Sequence, residues 1–238
     1  MTETASIELI NKHNKFQVFH DAGSKKIVIF CHGFRGTSVG PSRSFVTIAR
    51  MLEAQGISSI RFDQYCSGNS EGDFIDSSFV DWVETTREIV KKYQDLGYEV
   101  GLFGQSMGGA TVIDVASQIS DVKAAVAWVP DPNVDEVDRH TDEIIDEGGQ
   151  LIKGRYWLEA RDEKVAEKLA DAKAAMYIVQ CSDDEYVSSV NHHAIFDNAQ
   201  PHHEVVMMDG YNHSGWNNEQ FSKVIESSVN FLITQFQK

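Results

Sequence analysis

The chain has 238 residues, of which 42% are hydrophobic and 24% charged, and this predicts one domain spanning 1–238 with a large core. Its formal net charge of −15 at pH 7 argues against nucleic acid and membrane surfaces as partners, because binding to either normally neutralises phosphates with Lys and Arg. Three cysteines without Cys-x-x-Cys spacing, and no apolar run of about 18 residues, argue against a disulfide framework and a membrane span and favour the cytoplasm.

Apolar runs of strand and helix type alternate along the sequence. Segments near 7–10 and 16–19 predict a hairpin at a sheet edge, and the continuous apolar run 26–31 predicts a strand buried on both faces. The alternation that follows predicts an α/β fold, with helices on both faces of a mostly parallel sheet. The further predicted strands are 58–63, 99–103, 124–129, 175–181 and 204–208, and the predicted helices are 44–55, 79–96, 108–119, 189–198 and 218–237.

The alternation is interrupted at 131–173, which is longer than an ordinary connection of roughly 2–6 residues. Residues 135–147 of this insert are strongly acidic, and Val165, Leu169 and Ala172 have helical spacing, so we expect short helices there. Long inserts commonly act as lids. The sequence therefore predicts a short helical lid over the sheet.

The run Gly104-Gln105-Ser106-Met107-Gly108 lies between a predicted strand and a predicted helix. In that setting, a sharp turn holds the serine in a strained conformation that leaves no room for side chains two residues away. The alternative is a glycine-rich turn that only packs a helix or binds phosphate, but the phosphate-loop patterns Gly-x-Gly-x-x-Gly and Gly-Lys-Ser/Thr are absent. Ser106 is the predicted nucleophile.

A serine nucleophile needs a histidine as base and a carboxylate that orients the histidine. In the class with this strand-to-helix serine turn, the chain order is serine, acid, histidine. His213 lies in a loop after the last predicted strand, at the sheet edge where catalytic groups gather. Asp183 and Asp184 follow strand 175–181 at the same edge. We favour Asp184, although spacing alone does not separate the two and either can cap the next helix.

Two backbone amides are predicted to stabilise an oxyanion. The amide of Met107 begins a helix, where free N–H groups favour negative charge, and the amide of Phe34 follows the early buried strand. The adjacent His192 and His193 point about 100° apart on a helix and make a poor metal site. We predict no metal and no cofactor.

With these residues placed, the chain resembles the α/β-hydrolase superfamily over nearly its whole length, and is most similar to small bacterial carboxylesterases, including cinnamoyl (feruloyl) esterases. The motifs that carry the resemblance are His32-Gly33-Phe34, Arg61-Phe62-Asp63, Ser67 to Gly72, Gly104 to Gly109, Ser182 to Val187 and Asn212-His213-Ser214. The family's acid is usually the second aspartate of Gly-Asp-x-Asp-x-x-Val, which implies Asp184. The resemblance also implies the α/β-hydrolase fold and a lid after strand 124–129.

The resulting expectation is a serine carboxylic ester hydrolase that acts on a small-molecule acyl or hydroxycinnamate-like ester. Trp128, Tyr156 and Trp157 are predicted to form an apolar wall for the substrate, although aromatic residues in such positions are more often part of the core. A thioesterase or small amidase would use the same triad, and a binding protein could keep the fold without turnover. The sequence leaves open whether the chain forms a homodimer.

Overall fold

Strands and helices alternate along the chain in the computed structural model, which describes residues 2–135 and 138–238. The strands are β1 (Thr2–Ile10), β2 (His13–Asp21), β3 (Lys26–Cys31), β4 (Ser58–Phe62), β5 (Glu99–Gln105), β6 (Val122–Trp128), β7 (Ile144–Asp146), β8 (Leu151–Lys153), β9 (Ala175–Cys181) and β10 (His203–Met208). The α-helices are α1 (Ser44–Glu53), α2 (Phe79–Asp95), α3 (Met107–Gln118), α4 (Arg155–Asp162), α5 (Val165–Lys168), α6 (Ser189–Asn198) and α7 (Asn218–Gln237).

Eight of these strands form one sheet in the order β1-β2-β4-β3-β5-β6-β9-β10. Strand β2 runs antiparallel to both of its neighbours, and every other neighbouring pair is parallel. The predicted edge hairpin is β1 and β2, and its turn residues Asn11 and Lys12 both have positive φ, as a two-residue hairpin turn requires. The predicted mostly parallel sheet is confirmed.

The central strands are buried on both faces, as their continuous apolar sequences require. In β3, Ile27, Ile29 and Cys31 pack into a core with α2 and α3, whereas Val28 and Phe30 pack into a second core with α1 and α7. Successive side chains of a strand point to opposite faces, so one apolar run supplies both cores. The two cores hold the carboxyl ends of the parallel strands at one common edge.

The insert differs from its prediction in its first half. Residues 144–153 form the small antiparallel hairpin β7–β8 instead of a helix, and Gly148 and Gly149 take positive φ at its turn. The second half is helical but is divided at Lys164, which has φ 51° and separates α4 from α5. No helix in the described ranges is long and apolar enough to cross a bilayer.

Candidate active site

Ser106 occupies a strained turn between β5 and α3. Its backbone lies at φ 55° and ψ −124°, and its N–H donates to the Trp128 carbonyl at 2.8 Å. A Cβ on Gly104 would collide with the carbonyl of Gly108, and a Cβ on Gly108 would collide with the carbonyls of Cys31 and His32. Both glycines are therefore needed for close backbone approach, and the turn places the serine at the carboxyl edge of the sheet.

His213 and Asp184 meet Ser106 at this edge. His213 Nε2 lies 3.0 Å from Ser106 Oγ, and Nδ1 lies 2.8 and 3.0 Å from the two carboxylate oxygens of Asp184. The neighbouring Asp183 is exposed and its carboxylate accepts from the Ser182 hydroxyl instead. The carboxylate that contacts the histidine is thus that of Asp184.

The environment of Asp184 keeps its carboxylate charged. Burial acts to raise the pKa of this side chain, which has 0% exposure, but the hydrogen bond and charge of His213 outweigh burial and leave the pKa below its usual value. The N–H groups of Tyr186 and Val187 donate to Oδ1 at 2.9 and 2.8 Å. A charged carboxylate accepts from Nδ1–H and leaves Nε2 free to accept the serine proton.

The amides of Phe34 and Met107 are both available for an oxyanion. The Gly33 carbonyl, in the same peptide group as the Phe34 N–H, is held on the opposite side by the Gly36 N–H at 2.9 Å and by His32 Nδ1 at 2.8 Å. Because the carbonyl and N–H of a planar trans peptide point in opposite directions, the Phe34 N–H points away from Gly36 and His32 Nδ1. Within the described residues neither of the two amides donates to a protein acceptor.

His32 supports this loop in a way that sequence reasoning did not foresee. Burial lowers the pKa of its imidazole, so the ring carries a single proton. Because Nε2 accepts from the Gln64 N–H at 2.9 Å, that proton is on Nδ1, which donates to the Gly33 carbonyl. From sequence we gave His32 no role beyond its place in the motif His32-Gly33-Phe34. Its position beside Gly33 was the available signal for this supporting contact.

A cavity of about 400 Å³ opens above Ser106, within the range of roughly 300–1,000 Å³ usual for small-ligand sites. Its aromatic lining comprises Phe34, Trp157 and Tyr186, the last of which packs edge-to-face against His213 at 5.2 Å. Arg35 donates to the carbonyl of Glu147 at 2.6 Å and so ties the loop after β3 to the β7–β8 hairpin at the cavity mouth. Of the three aromatic lining residues, Trp157 is the one that comes from the insert.

Trp128 and Tyr156 do not form the apolar wall that the sequence predicted. Trp128 is fully buried in the core beneath α1 and α7, and its Nε1 donates to Ser228 Oγ at 2.8 Å. Tyr156 is fully buried against Trp82 and Phe79. Both predictions are corrected, because the last side chain of β6 and the first turn of α4 point into the two cores.

A further carboxylate, Asp131, lines the cavity. Burial above all, together with the like charges of Asp135 and Asp184, raises its pKa to about 6, against the lowering effects of the Asn133 N–H and of His213. The backbone just before Asp131 is strained, since the β-branched Val129, two residues earlier, lies at φ 41°. Sequence reasoning assigned no role to Asp131.

Replacing Asp131 by asparagine is expected to favour the fold more at pH 8 than at pH 4. A carboxyl whose folded pKa lies above its unfolded value of about 3.9 favours the fold when protonated, and that stability is lost as pH rises from about 4 to 6. Asp131→Asn should therefore raise the free energy of unfolding by about 1–3 kcal/mol at pH 8 relative to its effect at pH 4. Denaturant unfolding at both pH values measures this, and an equal effect at both would contradict it.

Within the described ranges, no group of three or more His, Cys, Asp or Glu side chains is placed to hold a metal ion. The three free cysteines are all buried. The polar side chains that line the cavity are instead those of His32, Arg35, Thr37, Gln105, Ser106, Asp131, Glu147, His213 and Ser214.

Comparisons with known proteins agree with this architecture. Residues 22–137, just under half of the chain, match the sequence family described as serine aminopeptidase, S33. No curated protein has a significantly matching sequence. The fold is that of the α/β hydrolases, as the sequence resemblance implied.

Among solved structures, Est1E from Butyrivibrio proteoclasticus with ferulic acid bound has a TM-score of 0.85 and 21% identity, over 98% of this chain and all of that one. The α/β hydrolase GrgF from Penicillium sp. sh18 has a TM-score of 0.81 and 14% identity, with both chains fully covered. A monoacylglycerol lipase from Paleococcus ferrophilus has a TM-score of 0.77 and 16% identity, over 93% of this chain and 99% of that one. At such identities the likeness establishes the fold alone.

Proposed function

We propose that the protein is a serine carboxylic ester hydrolase that acts on small acyl or aromatic, hydroxycinnamate-like esters through an acyl-enzyme. The observation that carries this proposal is the hydrogen-bonded series Ser106–His213–Asp184 at the base of a cavity. Ser106 lies in a strained strand-to-helix turn, and Phe34 and Met107, whose amides would stabilise the oxyanion, line the same cavity. This combination is what acyl transfer needs.

In the first half of the reaction, Ser106 Oγ attacks the ester carbonyl carbon while His213 Nε2 accepts the hydroxyl proton. The carbonyl oxygen becomes an oxyanion that accepts from the amides of Phe34 and Met107, each donor being worth about 2.7–4 kcal/mol. When the carbonyl re-forms, the bond to the leaving alkoxy oxygen breaks and His213 gives that oxygen its proton. The alcohol leaves, and the acyl group stays on Ser106.

In the second half, water attacks the acyl carbon and His213 accepts a proton from it. The second tetrahedral intermediate collapses, the carboxylic acid leaves, and His213 returns the proton to Ser106 Oγ. Asp184 stabilises the imidazolium in both halves without itself taking the proton. The cycle needs no cofactor.

An aromatic or acyl substrate is supported by the cavity and by the relatives. Trp157, Phe34 and Tyr186 give apolar ring surface close to the nucleophile. The relative Est1E was solved with ferulic acid bound, and another relative is a monoacylglycerol lipase. An amide substrate is the second candidate, because the matching family is described as a serine aminopeptidase.

The test combines substrate turnover with covalent labelling. We expect hydrolysis of p-nitrophenyl butyrate and methyl ferulate to exceed that of a matched p-nitroanilide and a matched thioester. A fluorophosphonate should add to Ser106, as shown by peptide mass mapping, and labelling should be retained in the cavity control Ser214→Ala. No ester turnover together with no labelling would sink the proposal, whereas faster anilide or thioester turnover would replace esters as the substrate class.

A further inference from the structure

Asp131 is a carboxylate of the cavity that the proposed reaction does not use. Asp131 lies three residues beyond Trp128, whose carbonyl accepts from the Ser106 N–H at 2.8 Å. It is therefore in the loop that follows β6, the strand paired with β5, at the same carboxyl edge of the sheet. Asp131 lines the same cavity as Ser106 and His213.

Hydrogen bonds from neighbouring residues hold the side chain of Asp131 in place. Its Oδ1 accepts from the Asn133 N–H at 3.0 Å and from Asn191 Nδ2 at 2.9 Å. Asn191 is itself only 3% exposed, and its Oδ1 accepts from the Val134 N–H at 2.9 Å. One oxygen of the carboxylate is thus fully used to fix its direction.

The other oxygen, Oδ2, receives no hydrogen bond from any residue in the two described ranges. A largely buried carboxylate is costly unless a donor pairs with it, and here the protein supplies donors to one side only. Since Asp131 lines the cavity, a substrate bound there can supply a donor to Oδ2.

We propose that Asp131 is a specificity-determining residue that binds a hydrogen-bond donor, a hydroxyl or an ammonium, on the carbon next to the scissile carbonyl. The proposal rests on the hydrolase function and names the chemical class of its preferred substrate. We place the donor next to the carbonyl because Asp131 lines the same cavity as Ser106 and His213 and follows Trp128, which hydrogen-bonds to Ser106, by three residues. An ester without a donor at this carbon leaves Oδ2 without that hydrogen bond, so we expect it to be hydrolysed, but more slowly than its donor-bearing analogue.

Ethyl esters that differ only at this carbon test the proposal: ethyl propionate, both enantiomers of ethyl lactate and both enantiomers of ethyl alaninate. Release of ethanol measures all of them in the same way. For each donor ester, the specificity ratio is its kcat/KM divided by that of ethyl propionate. In Asp131→Asn at least one ratio should fall roughly 10- to 100-fold, the range expected for a hydrogen bond to a charged group.

The control is Asp135→Asn, which removes the same charge from the same loop at a residue that does not line the cavity. It should leave the specificity ratios unchanged. A fall for alaninate alone assigns an ammonium to the site, and a fall for lactate alone assigns a hydroxyl. A fall for both shows that either donor can bind. Ratios that are equal in the native protein and in Asp131→Asn overturn the proposal.

A binding measurement separates this proposal from the hydrolase function. In Ser106→Ala, calorimetry with alaninamide, lactamide and propionamide compares the same three groups without turnover. Tighter binding of a donor-bearing amide that is lost on adding Asp131→Asn supports the role of Asp131 even if no ester is hydrolysed. Equal binding of the three amides counts against it even if esters are hydrolysed.

Discussion

Ser106→Ala is expected to lower kcat/KM for p-nitrophenyl butyrate by about 10⁴- to 10⁶-fold. The substitution removes the oxygen that His213 approaches at 3.0 Å, so no acyl-enzyme can form. The cavity and the two amides remain, and they account for the residual rate above that of water. Steady-state kinetics on freshly purified protein measure the loss.

The same variant should keep its fold. Alanine has the Cβ of serine and can take the same position at φ 55°, and no cap depends on the serine side chain. The thermal unfolding midpoint should therefore stay close to that of the native protein. Retention of more than a few per cent of the activity in a folded Ser106→Ala protein would show that another group is the nucleophile.

Asp184→Asn is expected to lower kcat by about 10⁴-fold with little change in KM. Oδ1 accepts from the Tyr186 and Val187 N–H groups, so the asparagine oxygen takes that position and its NH₂ group faces His213. The NH₂ group then donates to Nδ1, which moves the imidazole proton to Nε2. A protonated Nε2 cannot accept the proton of Ser106.

The matched control for this variant is Asp183→Asn. Asp183 is the adjacent residue and is exposed, and its carboxylate hydrogen-bonds to Ser182, not to His213. The Asp183→Asn variant should retain the kcat and KM of the native protein. If Asp183→Asn loses activity as severely as Asp184→Asn, the orientation of His213 does not depend on Asp184 in the way described.

The positions of Ser106, Asp184 and His213 could be predicted from sequence because each follows a strand of strong apolar pattern. Their side chains lie on short loops at one sheet edge, so locating the strands locates the loops. The choice between Asp183 and Asp184 could not be made from spacing, since adjacent loop residues differ only in side-chain direction. That choice required the resemblance, and in the structure it is Asp184 that contacts His213.

The cavity wall was less predictable, because it depends on packing across the fold. Trp128 and Trp157 are both tryptophans near the insert, yet one faces the core beneath α7 and the other faces the cavity. The β7–β8 hairpin was missed because its strands have only three residues each, too few for a periodic signal. Asp131 was missed because its partner Asn191 is sixty residues away.

The main-chain bond from Ser106 to Trp128 has a consequence for how activity appears during folding. The nucleophilic turn is complete only when β5 and β6 have paired in register, and His213 reaches it only after β9 and β10 have joined the same sheet. Pairings between segments so distant in sequence carry a high loop-closure cost and form slowly. Recovery of esterase activity after dilution from denaturant should therefore lag behind recovery of helical circular dichroism, so that turnover reports the final step of refolding.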